Sequence, residues 1–206
     1  MSGLSFSIRV VLCCLVAFAP LSSLDQWLSD LFFRLRGPLG SPSTIALVPL
    51  ASEEQREAVL QHIQQDGPQL LVSYPDEALQ EDTVPDPDCT LRHASLEGGG
   101  IPSPTLLTYH RLIGTSGKPS PQFPVAIDFR GPAGSYFTVP ESQVANSATG
   151  TFQDKIVLVG RDRGEQQATE TPFGKMSPLE VQANTLETLW QDRRLSPVPH
   201  WISILG

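Results

Sequence analysis

The 206 residues suffice for one ordinary domain, or one domain plus an anchor, and are too few for a receptor that carries its own kinase or cyclase. With 14 Lys and Arg against 22 Asp and Glu the net charge is -8, so there is no domain-wide basic surface to neutralise phosphates, and a nucleic-acid partner is not expected. Hydrophobic residues make up 40% of the chain, enough to bury a core, and 19 prolines predict stiff loops between short elements.

In chain order, residues 3–24 come first. Their only ionisable side chain is Arg9, and Val10, Val11, Leu12, Cys13, Cys14, Leu15, Val16, Ala17, Phe18 and Ala19 run on without a break. A spanning helix needs about 20 apolar residues, and this stretch reaches that if Arg9 snorkels. Residues 1–24 are therefore read as an N-terminal transmembrane anchor or signal anchor, with Arg9 holding the N-terminal side inside and the rest of the chain outside. A cleaved signal peptide is the rival, since Ala17-Phe18-Ala19 imitates a small-x-small cleavage site, although Pro20 would then hinder the peptidase. A buried soluble helix is the third reading. Cys13 and Cys14 lie in the apolar run and Cys89 stands alone in a polar loop, so neither a disulfide framework nor a catalytic thiol is expected.

Beyond the anchor, Leu24, Trp27, Leu28, Leu31, Phe32 and Leu35 form one apolar stripe at helical spacing, stopped by Gly37-Pro38. Ile45–Leu50 reads as an apolar strand. A helix then starts near Ser52, where Ser52 and Gln55 have capping-box spacing, with Val59, Leu60 and Ile63 on its apolar face and Gly67-Pro68 at its end. Leu70–Tyr74 is the second strand, and the two strands with their crossover helix predict a parallel unit. Residues 75–88 hold Asp76, Glu77, Glu81, Asp82, Asp86 and Asp88 with no basic residue. This loop reads as a solvated face, because the turn glycine and ligand spacing of a calcium loop are missing. A strand over 90–97, a helix over Pro104–Ile113 and a strand over 123–129 follow. Residues 155–160 are the strongest strand, with the continuous apolar run of a sheet buried on both faces. The last helix is announced by Ser177, Pro178 and Glu180, and Leu179, Ala183, Leu186, Leu189 and Trp190 make its buried stripe.

The expected fold is thus α/β, with a central mostly parallel or mixed sheet flanked by helices and preceded by an N-terminal membrane helix. The motifs of enzyme chemistry are missing. No Gly-Lys-Ser/Thr or G-x-G-x-x-G follows a strand, no Ser sits in a G-x-S-x-G elbow, and His62, His93, His110 and His200 are never paired at metal-ligand spacing. A binding module is expected rather than an enzyme, with no cofactor and no metal.

Asp30-x-x-Phe33-Arg34-x-Arg36-Gly37 followed by Ile45-x-Leu47-Val48 resembles the opening of the type-two CHASE domain, a sensory extracellular module associated with cyclases and with histidine and serine/threonine kinases. Phe152-x-Asp154-Lys155-Ile156-Val157-Leu158-Val159-Gly160, Glu170-Thr171-Pro172-Phe173 and Pro178-Leu179-Glu180-Val181-Gln182-Ala183-Asn184 are similar to its closing strand, Thr-Pro loop and helix. Asp86-x-Asp88-Cys89-x-x-Arg92 resembles its D-x-D-G-x-x-R turn, and Ile127-Asp128-Phe129-Arg130-Gly131 its I-N-Y-x-G strand. Cys89 stands where the turn glycine is usual, Pro49 where an Ile-Asp pair closes the first strand, and Leu179 and Gln182 where Gly and His are usual. With only about twenty residues between its first two strands, the chain looks like a shortened version of the domain.

The resemblance implies an extracytoplasmic sensory domain over residues 25–200, periplasmic or extracellular, at the cell membrane. Trp201 and the apolar residues after it, residues 201–206, would open a second transmembrane helix. The implied partners are the membrane, a small-molecule or protein stimulus, a cytoplasmic kinase or cyclase output module, and a second copy in a homodimer. The candidate ligand-binding residues are Asp86, Asp88, Arg92, Asp128, Arg130 and Thr171. Turn-forming and loop-fixing roles are the competing reading of each. Binding would shift the population of domain arrangements and move the 24–35 helix. A ligand-free scaffolding protein and a secreted hydrolase are the alternatives.

Overall fold

A computed structural model of the chain describes residues 21–40, 44–75, 85–98, 101–114, 124–161 and 167–193. The expected anchor therefore lies almost entirely outside the described residues, as do the second span at 201–206 and the acidic residues Asp76, Glu77, Glu81 and Asp82. Among the described residues no helix is long and apolar enough to cross a membrane.

The chain divides into two compact units, Met1–Gly37 and Pro38–Gly206. In the first, helix α1 spans Leu21–Arg36 with Arg34 and Arg36 in its last turn, where cations suit the negative end of the helix dipole. The Arg36 guanidinium lies 5.1 Å from the Phe33 ring centre and 5.9 Å from that of Phe32. Gly37 ends the helix in the left-handed region at φ 70°, with its N–H donating to the Phe33 carbonyl.

The second unit is built on a four-stranded parallel sheet. Its strands are β1 (Ile45–Leu50), β2 (Leu70–Tyr74), β7 (Phe137–Thr138) and β8 (Ile156–Arg161), in the order β2-β8-β1-β7. The fold is α/β as expected, but β1 and β2 are not neighbours, because β8 inserts between them. Ile156 pairs with both Ile45 and Leu70, and the ladder runs in register to Gly160 against Pro49 and Tyr74. Flanked on both edges, β8 is buried from Ile156 to Gly160, as its apolar run predicts. Pro49 is tolerated in β1 for a geometric reason. The Leu47 carbonyl accepts from Val139 on the β7 side, so the nitrogen of Pro49, two residues on, also points to that side, beyond the end of the two-residue β7.

Alternation along the strands gives the sheet two apolar faces. Ala46, Val48 and Leu50 of β1 and Val157 and Val159 of β8 pack with Val59 and Ile63 of helix α2 (Arg56–Gln65), with Val144 of helix α4 (Glu141–Val144), and with Val139 and Phe152. The opposite face, with Ile45, Leu47, Ile156 and Leu158, carries helix α5 (Pro178–Trp190), and helix α3 (Pro104–Ile113) packs on α5 and β2. The remaining strands are short. β3 (His93–Ala94) pairs with β6 (Val125–Ala126), β4 (Glu97–Gly98) with β5 (Ile101–Pro102), and β9 (Thr169–Thr171) with β10 (Gly174–Met176), each antiparallel.

Three local expectations need correction. Helix α2 starts at Arg56, not near Ser52, and its N-cap Gln55 makes no side-chain cap bond. The Ala51 N–H donates to Glu141 at 2.5 Å and that of Ser52 at 3.4 Å, while Arg56 pairs with Glu53 and donates to the Tyr74 carbonyl at 3.0 Å. Those bonds compete with the capping box. The strands expected over 90–97 and 123–129 shrink to the two-residue pairs β3 and β6, because their flanking backbone bonds to β9 and α5 instead. In α5 the buried surface is not a stripe. Every residue from Pro178 to Leu189 is buried, and Trp190 is half-buried.

Candidate functional site

The structure divides the six candidate residues between two polar clusters and a hairpin turn. In the first cluster Arg92 is buried, and its guanidinium donates from Nη1 to Asp86 Oδ2 at 2.9 Å and to Asp88 Oδ1 at 3.0 Å. Its Nη2 donates to Asp88 Oδ2 at 2.8 Å, so Asp88 is gripped at both oxygens. His93 Nδ1 lies 3.4 Å from Asp86 Oδ1 at the cluster's edge. The turn between the two aspartates is closed by backbone bonds, Cys89 N–H to Asp86 O at 2.8 Å and Asp86 N–H to Thr90 O at 3.0 Å. Cys89 sits at φ 63°, in the left-handed region that favours glycine. The Arg92 side chain and the Thr90 N–H hold the Asp88 carboxyl down to about 2, from an ordinary 3.8.

The second cluster is centred on Arg130, whose buried side chain meets Glu187 of α5 by two parallel bonds, the one from Nε to Oε2 at 2.8 Å. The Tyr136 hydroxyl donates to Glu187 Oε2 at 2.8 Å, and Gln191 Nε2 donates to Oε1 at 2.7 Å. Glu187 therefore takes bonds from three side chains, which is how a carboxylate can lie inside the domain. The Glu187 pairing raises the Arg130 pKa, and burial, reinforced by the Glu187 charge, raises that of Tyr136 well above the usual phenol value. The Arg130 N–H donates to Asn184 Oδ1 at 2.8 Å and the Asp128 N–H to Thr188 Oγ1 at 3.0 Å. The segment holding Asp128 and Arg130 is thus stitched to α5 through Asn184, Glu187 and Thr188, which lie within little more than one helical turn.

Thr171 stands apart from both. Its hydroxyl donates to the Gly174 carbonyl at 2.6 Å and accepts from the Phe173 N–H at 3.3 Å, closing the β9–β10 hairpin. Backbone bonds tie the three places together, Leu91 N–H to Glu170 O at 2.7 Å and Ile127 N–H to Arg92 O at 2.9 Å. Asp86, Asp88 and Arg92 are therefore brought together, Asp128 and Arg130 belong to the α5 cluster, and Thr171 shapes a turn.

Sequence reasoning missed Glu187, Tyr136, Asn184 and Gln191. Glu187 and Asn184 lie on a helix whose apolar stripe directs them to solvent, and a local pattern carries no signal that a second layer covers that side. A third polar group joins Tyr74, Thr105 and Gln182, all fully buried. The Tyr74 and Thr105 hydroxyls are 3.3 Å apart, and Thr105 bonds Gln182 of α5. Among the described residues no group of His, Cys, Asp and Glu side chains is arranged to hold a metal ion.

The family model described as the CHASE2 domain matches residues 50–206, a span that contains both clusters, β8, the Thr171 hairpin and α5. The opening segments, Asp30 to Gly37 and Ile45 to Val48, lie before the match. No curated protein and no solved structure matches the chain. With most of its length matched, the chain belongs to the CHASE2 family of extracytoplasmic sensory domains, in a shortened form.

Proposed function

We propose that this chain is the stimulus-binding module of a membrane-bound receptor, lying outside the cytoplasm and relaying to a cytoplasmic kinase or cyclase that is not part of these residues. The observation that carries the reading is the family match over residues 50–206. The buried helix α5 supports a relay, because Gln182, Asn184, Glu187 and Thr188 bond it to α3 and to the segment holding Asp128 and Arg130. A stimulus that prefers one arrangement of either polar cluster would shift the population of α5 positions. In this reading the chain works by binding and not by catalysis, and its side chains hold shape.

The exposed thiol of Cys89 offers a direct test of placement. In intact cells a membrane-impermeant maleimide is expected to label the wild-type chain and to spare Cys89→Ser. Labelling only after permeabilisation would place the domain in the cytoplasm and end the receptor reading. Relay is tested by joining the full chain to a cyclase catalytic domain. Asp88→Ala with Arg92→Ala is expected to alter cyclase output, and unchanged output with unchanged stability would remove these residues from the site. A partner complex indifferent to small molecules would instead favour a scaffold.

A further inference from the structure

The backbone and side chain of Arg130 hold two segments at once. On one side is α5, through Glu187 and Asn184. On the other is the segment by which the chain enters the domain. The Leu39 N–H donates to the Arg130 carbonyl at 2.7 Å, and Arg130 Nη1 donates to the Gly40 carbonyl. The next residue tightens the same contact. A Cβ placed on Gly131 would lie 2.9 Å from Pro38 Cβ and 2.6 Å from Ser135 Oγ, so the turn after Arg130 approaches Pro38 at a distance only glycine allows. The Gly131 backbone is not in the left-handed region, so the restriction is one of space.

We infer that Arg130 is a latch coupling the entry segment Pro38–Gly40 to helix α5, so that displacing either one loosens the other while the sheet stays intact. The chemistry requires arginine. One planar fork presents Nε and Nη2 to Glu187 and leaves Nη1 for Gly40, whereas a lysine ammonium is a point charge that cannot span both. The position suits coupling as well. The segment continues directly from α1, and α5 is the last helix among the described residues. Under the receptor reading, on which only this signalling role rests, the latch joins the domain's entry to α5.

Coupling free energies are reciprocal, which sets the test. Amide exchange is measured on the full chain in detergent by NMR for wild type, Gly131→Ala and Arg130→Lys. Gly131→Ala pushes on Pro38 and on the Ser135 hydroxyl and keeps the Arg130 and Glu187 side chains. It is expected to speed exchange at Leu39 about tenfold and to raise it by a comparable factor at Gln191 and Asp192, whose N–H groups close the end of α5, with Val157 and Leu158 of β8 unchanged. Arg130→Lys is expected to loosen the same amides from the other side. Faster exchange at Leu39 with Gln191 unchanged would overturn the latch, as would unchanged Leu39 in both variants, or protection lost in β8 together with both ends. The readout involves no signalling, so it stands or falls independently of the receptor reading, which the Cys89 labelling tests.

Discussion

Arg130 and Glu187, 57 residues apart in the chain, meet as a buried ion pair with two parallel bonds. The pair is not by itself a source of stability, because two ions must leave water to form it. Its consequence appears when one partner is removed. Glu187→Leu strands the guanidinium and is expected to cost about 3–5 kcal/mol in urea unfolding. Arg130→Met combined with Glu187→Leu is expected to be more stable than Glu187→Leu alone. Simple addition of the two single losses would show that the groups do not act as a pair.

The Asp86–Asp88–Arg92 cluster predicts an acid response. Asp88 titrates near 2 in the folded domain against an ordinary 3.8, chiefly because of the Arg92 guanidinium. A lowered folded value means that the stabilisation is complete above 3.8 and is lost as pH falls toward about 2. Asp88→Asn should therefore lower the thermal midpoint at neutral pH and flatten its fall across that window. The Asp88 side chain is 43% exposed, so the effect is modest and shrinks with added salt. An unchanged acid limb in Asp88→Asn would count against the cluster.

Cys89 occupies a left-handed backbone position without the freedom of glycine. Cys89→Gly is expected to stabilise the domain by about 0.5–1 kcal/mol, since relief of strain outweighs the added entropy of the unfolded chain. Cys89→Val is expected to destabilise by about 1–2 kcal/mol, because a β-branched side chain fits that region worst. Equal stability for all three in chemical denaturation would mean that the turn has relaxed out of this conformation.

Asp66, which caps the end of α2, accepts from Gly150 N–H at 2.5 Å and from Phe152 N–H at 2.7 Å, and these bonds lower its pKa. They fasten the loop before β8 to the helix before β2. Asp66→Ala leaves both N–H groups without this acceptor and is expected to cost about 1–3 kcal/mol, with Asp66→Asn costing less because one acceptor oxygen remains. Unfolding curves for the two variants give the comparison, and a tie between them would point to water as an equal substitute.

Much of the fold is legible in short stretches of sequence. Ile45–Leu50, Leu70–Tyr74 and the apolar run of β8 announce strands, and Pro104 and the Ser177-Pro178 pair announce the starts of α3 and α5. Each is a pattern of neighbours, and the physics that makes it is local. The Asp86-x-Asp88 turn was legible for the same reason, since its arginine lies within six residues. The Arg130 cluster was only half legible. Arg130 follows directly on an apolar run that is recognisable in sequence, whereas Glu187 lies on a helical face that polarity assigns to water.

What the amino-acid order determined alone is the main strands and helices, the acidic balance and the apolar interior, because hydrophobic periodicity, capping and turn chemistry act over a few residues. The tertiary structure decided which strands are neighbours and which charges are buried. β8 enters between β1 and β2, and α5 is enclosed on every side, because burying apolar area in two layers outweighs the cost of burying polar groups once each has a partner from a distant segment. Pairings of that kind, such as Arg130 with Glu187 and Asp66 with Phe152, follow from the assembled shape and have no counterpart in any single window of the chain.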